Sequence, residues 1–222
     1  MSRTVSLVLV ACAALLALAA GVGSFLLFRR PAAGPADYVE TRIGDLRLVY
    51  QAGYARFPGG RAGGRFDSLQ LAATFPDFRP AGGATTALDA SQGGQGKPPA
   101  LLFLSIGSQE RKVDPADLTS LLYARFLEPE VAETDEGLLK RAFQDGSPYE
   151  GEDLYFSPPE GRAFAARCAR PTVPPDGLPE TCIAVIREGG LDVDLRFTTA
   201  QLPQWEKLAE GARALVKSMI AR

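Results

Sequence analysis

Histidine is absent from the whole chain. With it go the commonest general base, every Ser-His-Asp or Cys-His arrangement and most catalytic zinc sites. Cysteine is scarce, at three residues, and no pair has C-x-x-C spacing, so no zinc ribbon or thioredoxin-like redox motif is encoded. Positive charge is not in excess: 24 Lys and Arg stand against 26 Asp and Glu, for a net charge of −2. General nucleic-acid binding depends on clustered cations that release counterions, and no long cationic run is present, so no nucleic-acid partner is expected. Neither glycine cluster, Gly59-Gly60-Arg61-Ala62-Gly63-Gly64 or Gly93-Gly94-Gln95-Gly96, matches a P-loop or dinucleotide fingerprint, and both read as loops. These absences nominate no catalytic residue, no metal ligand and no cofactor.

What is present is an ordinary globular composition, 46% hydrophobic and 23% charged over 222 residues, enough for one domain with a sizeable core. It follows a long apolar opening. Residues 5–28, VSLVLVACAALLALAAGVGSFLLF, carry no charge and are long enough to cross a bilayer as a helix. The run exceeds the usual h-region of about 7–15 residues, which favours a retained signal anchor behind a flank at residues 1–4. Two alternatives stay open: cleavage near Ala17-Leu18-Ala19, and lipidation at Cys12 in the lipobox-like Leu9-Val10-Ala11-Cys12. Arg29 and Arg30 outweigh Arg3 and favour a cytoplasmic C-terminal part, but long domains translocate largely regardless of flanking charge. Residues 29–37 read as a tether and residues 38–222 as the folded domain.

Within that domain, apolar and aromatic runs bounded by Gly, Pro and Asp predict strands near 39–50, 53–57, 67–75, 100–107, 153–157, 162–169, 181–187 and 191–198. Residues 80–99 have one large apolar side chain, Leu88, and predict a flexible loop. Asp114 before Pro115 suits an N-cap with proline at N1, and Leu118, Leu121, Leu122 and Phe126 follow at helical spacing up to Pro129. A second helix begins near Pro203. Its stripe of Trp205, Leu208, Ala209, Ala212, Leu215, Val216, Met219 and Ile220 suits packing on the domain's own sheet. Residues 136–143 carry signals for both helix and strand, and the following turn favours strand. The expected class is α+β, a mostly antiparallel sheet with two covering helices. The order of elements is similar to the PsbP/Mog1-like α/β/α sandwich, a likeness of fold that implies no function.

The register of the last hairpin can be counted. Gly189-Gly190 suits a two-residue turn, which pairs Glu188 with Leu191, Ile186 with Val193, Ala184 with Leu195 and Cys182 with Phe197. Leu191, Val193, Leu195 and Phe197 alternate with Asp192, Asp194, Arg196 and Thr198, so Cys182 points to the buried face. If the preceding strand pairs antiparallel, Cys168 opposes Cys182 on that face. A structural disulfide is the expectation, contributing about 3 kcal/mol by loop closure. Two free core thiols and a metal or redox pair are the alternatives, the latter disfavoured by the missing histidine and C-x-x-C. A disulfide implies an oxidising compartment and tips the orientation towards an extracytoplasmic domain of an inner-membrane, single-pass protein.

Five residues are nominated for a binding surface: Phe75, Phe78 and Arg79 in TFPDFRP, and Tyr149 and Tyr155 in DGSPYEGEDLYF. The same aromatics would equally cap an edge of the core. Asp192 and Asp194 share a strand face and read as solvated, as does the acidic cluster Glu128, Glu130, Glu133, Asp135 and Glu136. Taken together, the apolar opening, TFPDFRP, GSPYEGEDLYF and the later cysteine pair resemble a group of proteobacterial membrane-anchored envelope proteins. The resemblance covers most of residues 38–220, implies an anchored envelope domain and transfers no functional residue. The expected role is non-enzymatic, a binding or assembly accessory with an envelope protein as partner and the membrane held through residues 5–28. An envelope hydrolase using paired carboxylates, or a serine beside Lys97, Lys112 or Lys140, is the rival; a cytoplasm-facing interaction domain is the third reading.

Overall fold

The computed structural model describes residues 37–82, 100–171 and 180–221. The expected anchor, residues 29–36 of the tether, residues 83–99 of the expected loop and residues 172–179 of the proline-rich segment lie outside the described residues. Among the described residues no helix is long and apolar enough to cross a membrane.

The alternating segments pair into an eight-stranded sheet of order β4-β5-β11-β10-β9-β8-β7-β6, antiparallel at every junction. Its strands are β4 (Ser68–Phe75), β5 (Ala100–Ser108), β6 (Ala132–Glu133), β7 (Leu139–Ala142), β8 (Glu152–Phe156), β9 (Ala165–Ala169), β10 (Thr181–Glu188) and β11 (Leu191–Thr198). A second sheet of three strands joins β1 (Tyr38–Ile43), β2 (Leu46–Gln51) and β3 (Gly64–Phe66), with β1 and β3 parallel. The α-helices are α1 (Pro58–Ala62), α2 (Leu118–Leu121) and α3 (Trp205–Met219). The class is α+β with a mostly antiparallel sheet, as expected.

The counted register holds. Glu188 pairs with Leu191, Ile186 with Val193, Ala184 with Leu195 and Cys182 with Phe197. Gly189 and Gly190 take φ of +57° and +85°, which a two-residue hairpin turn requires. Cys182 opposes Cys168 in the β9–β10 ladder, their Cα atoms are 4.0 Å apart, and the two sulfurs are bonded. This is the closely spaced position of an antiparallel pair, on the buried face.

Leu208, Ala209, Ala212, Leu215, Val216 and Met219 of α3 are buried against Leu104, Ala184, Val193 and Leu195 of the large sheet and Leu48 of β2. The helix stripe therefore packs on the domain's own sheets. Its C-terminal end is tied down by a bridge between Ile220 and Leu48 and by the Ala221 N–H donating to the Arg47 carbonyl at 2.8 Å. The smaller sheet lies on the same side, so α3 and β1–β2 together cover one face of the large sheet.

Several expectations are corrected. The run 39–50 is two strands, because Gly44 and Asp45 make a tight turn. Residues 52–54 form a 3-10 turn, not a strand, and only Ala55 bridges to Leu71. The first glycine cluster is ordered as α1 and the start of β3. Tyr50 donates to the Gly60 carbonyl at 2.6 Å, and a Cβ on Gly63 would lie 2.5 Å from the Glu40 carbonyl oxygen. The expected middle helix has a single α turn, flanked by 3-10 turns at Pro115–Asp117 and Tyr123–Phe126. Asp114 caps the first of these 3-10 turns, accepting from the Ala116 N–H at 2.9 Å. The backbone turns at Leu122 so that Tyr123 and Leu127 reach the sheet, which leaves Leu121 60% exposed. A 3-10 turn, Thr199–Gln204, precedes α3, held by a capping box between Thr198 and Gln201. The ambiguous 136–143 segment does contain a strand, β7.

Candidate functional site

The register sorts side chains of the large sheet onto two faces. On β4, β5, β11 and β10 most of the apolar set points towards α3, and the opposite face carries polar, charged and half-exposed side chains, with buried Ala72 and Leu101 towards one end. On β7 and β8 the sense reverses. Leu154, Phe156 and Leu139 share the opposite face with Phe143, where residues 113–127 cover them with Leu118, Tyr123 and Leu127. The α3 side of these two strands carries Lys140, Asp153 and Tyr155 instead.

The uncovered part of the opposite face has an ordered pattern. One cross-strand row runs Arg167 (β9), Ile183 (β10), Arg196 (β11), Phe103 (β5), each opposite the next. The Arg56 guanidinium lies 4.4 Å from the Phe103 ring centroid, extending the row to the sheet's rim. The next row is Val185, Asp194, Ser105, Gln70, and a third is Arg187, Asp192, Gly107, Ser68. Beside the first two rows, residues 111–123 raise a wall, and the groove between wall and sheet encloses about 490 Å³. Its cations are Arg111, Lys112, Arg167 and Arg196; its one acid is Asp194.

A buried ion cluster holds that wall down. Asp192, 4% exposed, accepts from the Arg187 Nε at 2.8 Å and from the Arg111 N–H at 3.2 Å. Arg187 also faces Asp114 at 3.6 Å, and Arg111 pairs with Asp194 at 2.8 Å. Burial acts to raise the Asp192 carboxyl, but the Arg187 and Arg111 hydrogen bonds and charges outweigh it and hold the group below the usual carboxylate range. The sequence reading of Asp192 as solvated is thus corrected: alternation was right, but loop 109–114 folds over the position. On the groove floor the Arg167 guanidinium is paired with Glu152 and lies 4.6 Å from the Tyr149 ring centroid. Tyr149 in turn packs edge-on against Tyr123 at 5.2 Å. Burial pushes the Tyr123 hydroxyl pKa up, and the nearby Arg167 opposes it.

The five nominated residues do not form one surface. Phe75 is buried, and Phe78, at φ +52°, is half-buried with its ring pressed onto Gly211 of α3, where any side chain would collide. The two rings meet edge to face at 5.8 Å, so TFPDFRP closes an end of the core; Arg79 remains exposed there. Tyr149 lines the groove, whereas Tyr155 faces the α3 side beside Lys140. Reasoning from sequence found Tyr149 but missed Arg167, Ile183, Arg196 and Phe103. The signal was available for Ile183 and Arg196, since the same count that paired the cysteines places them opposite one another.

Groups suited to a hydrolase are otherwise engaged. Lys140 bonds Asp153 at 2.9 Å, and that hydrogen bond raises its pKa, the wrong direction for a general base. Asp153 also accepts from Arg170 at 2.9 Å. Lys97 lies outside the described residues, and among those described no serine hydroxyl bonds a lysine. Asp192 and Asp194 both answer to Arg111. Among the described residues no group of His, Cys, Asp and Glu is arranged to hold a metal ion.

No family model matches the chain, and no curated protein does. Two solved structures are similar to it. Smlt3025, an immunity protein of the Stenotrophomonas maltophilia type IV secretion system, superposes with a TM-score of 0.56 at 16% identity, covering 87% of this chain and 98% of its own. The Neisseria meningitidis iron-regulated outer membrane lipoprotein FrpD has a TM-score of 0.47 at 12% identity, covering 82% of this chain and 92% of its own. At this identity the first likeness is one of fold.

Proposed function

We propose that the chain is an envelope binding protein of the immunity type: a tethered α+β domain outside the cytoplasm that holds a partner protein and catalyses no reaction. The observation that carries this reading is the open half of the sheet, where Arg167, Ile183, Arg196 and Phe103 stand in one row beside a walled groove. Arginine and aromatic side chains on a rigid sheet suit interface anchors. The disulfide supports an oxidising compartment, and the apolar segment at 5–28 supplies a single inner-membrane span with the domain on the periplasmic side. The likeness to Smlt3025 adds a fold on which an immunity protein is built. As a finer reading of the fold, the PsbP/Mog1-like sandwich is supported by helices on both sides of one antiparallel sheet. The envelope hydrolase is less favoured, because its lysine and carboxylates are tied into ion pairs.

Photo-crosslinking tests the reading. A benzophenone side chain placed at Phe103 of the full chain in intact cells is expected to give a discrete protein adduct, and one at Lys217, on the outer face of α3, none. Equal labelling from both positions would count against it.

A further inference from the structure

We propose that the groove between β10, β11 and residues 111–123 takes an extended, acidic segment of a partner protein, rich in Asp or Glu. This deepens the reading above and rests on it.

Three observations converge. The first is local charge: four cations and one acid line the groove of a chain whose net charge is −2, so the groove has the opposite sign from the whole. A concave site of one sign concentrates oppositely charged ligands. The second is availability. Arg111 and Arg167 are spent on Asp194 and Glu152, but among the described residues neither Lys112 nor Arg196 has an ion-pair or hydrogen-bond partner. Both are exposed, and Arg196 rises from the centre of the row, flanked by Ile183 and Phe103. Neighbouring strands lie about 4.8 Å apart, so Arg167 and Arg196, two strands apart, span about 10 Å. That is about three residues of an extended chain, so one short segment reaches from Arg167 to Arg196. Carboxylates meeting guanidinium and ammonium groups make the stronger, charge-assisted hydrogen bonds, and clusters of arginine are a recurrent reader of acidic motifs.

The third observation is shape. Apolar surface comes from Ile183 and Val185 on the sheet, between Arg167 and Arg196, and from Leu122 on the wall, which makes the site concave. A flat lipid surface does not enter such a groove. Single-stranded nucleic acid would need free aromatic faces for its bases. Here Tyr149 is already packed against Tyr123 and Phe143 and topped by Arg167. A peptide with side chains of both kinds, carboxylates for the cations and one apolar residue for the apolar surface, fits both features.

The test uses the full chain in neutral detergent and a short fluorescein-labelled oligoglutamate peptide, followed by fluorescence anisotropy at low and physiological salt. Binding is expected at low salt, weakening as salt rises. The double variant Lys112→Gln/Arg196→Gln is expected to bind about tenfold more weakly, the loss of one or two charge-assisted bonds. Arg196→Lys should retain most of the binding. The control Arg79→Gln/Lys217→Gln, which removes two cations away from the groove, should match the unaltered chain. The proposal is overturned by absence of binding at low salt, or by an equal loss in the control. It is overturned too if oligothymidylate or phosphatidylglycerol vesicles bind with the same dependence on Lys112 and Arg196. If the adduct formed at Phe103 persists undiminished in Lys112→Gln/Arg196→Gln, the acidic-segment inference falls while the binding function stands.

Discussion

In β4, β5, β11 and β10 the buried side chains point towards α3, whereas in β7 and β8 they point the other way, towards residues 113–127. A single sheet thus serves two cores, and the switch occurs at β9. There Cys168 and Ala166 join the first core, while Arg167 and Ala165 turn to the second side. Among the described residues each half has one face that its own core does not claim, and these two faces differ. The one beside Lys140 and Asp153 is closed by ion pairs with Arg170 at its rim. The one beside Arg196 keeps two cations, Lys112 and Arg196, that have no partner among the described residues. Ion pairs that satisfy one another need no ligand; unpaired cations beside apolar surface are what a partner can use.

This contrast can be broken most strongly through its two cores. Leu104→Ala, on the α3 side, and Phe143→Ala, on the other, each remove a fully buried side chain and should each cost about 3–5 kcal/mol in denaturant unfolding. Equal costs from opposite faces would sharpen the two-core description, and a negligible cost at Phe143 would remove it. Next comes the wall. Asp192→Asn breaks a buried charge pair and should destabilise by about 3 kcal/mol. The folded Asp192 carboxyl lies below the ordinary carboxylate value, so its contribution is complete above that ordinary value and is lost as pH falls through the folded one. Urea titrations across the acid range should therefore show a shallower pH slope in the variant. The disulfide is comparable or a little smaller: Cys168→Ser/Cys182→Ser closes no loop and should cost about 2–3 kcal/mol, read as a lower unfolding midpoint without reductant. The smallest effect belongs to the open face. Lys112→Gln/Arg196→Gln should change stability by no more than about 0.5 kcal/mol, since both side chains are exposed and neither has an ion-pair or hydrogen-bond partner among the described residues.

The parts of the fold that were legible in the sequence are those where one periodicity acts alone. Residues 191–198 alternate cleanly because one face is buried throughout, and Gly189-Gly190 sets the register; together they located the disulfide. The stripe of α3 was legible for the same reason at period 3.6. Where two surfaces make demands on one segment, the pattern was misleading. Leu118, Leu121, Leu122 and Phe126 have helical spacing, yet the chain breaks after one turn so that Tyr123 can reach Phe143. Asp192 alternates like a solvated residue, but loop 109–114, distant in sequence, buries it. The groove was illegible as a unit because its members come from β9, β10, β11, residues 111–123 and the loop before β8, with no shared spacing. The aromatics of TFPDFRP have the composition of a recognition surface, but those rings are spent on the end of the core.

The most direct measurement is hydroxyl-radical footprinting of the full chain, comparing intact cells, where a partner is at hand, with the purified protein. If the open half of the sheet is the working surface, Phe103, Ile183 and Tyr149 will be protected in cells, and Tyr155 and Trp205 will be modified equally in both states. Protection confined to Tyr155 or Trp205, with Phe103 and Ile183 unchanged, would contradict the account.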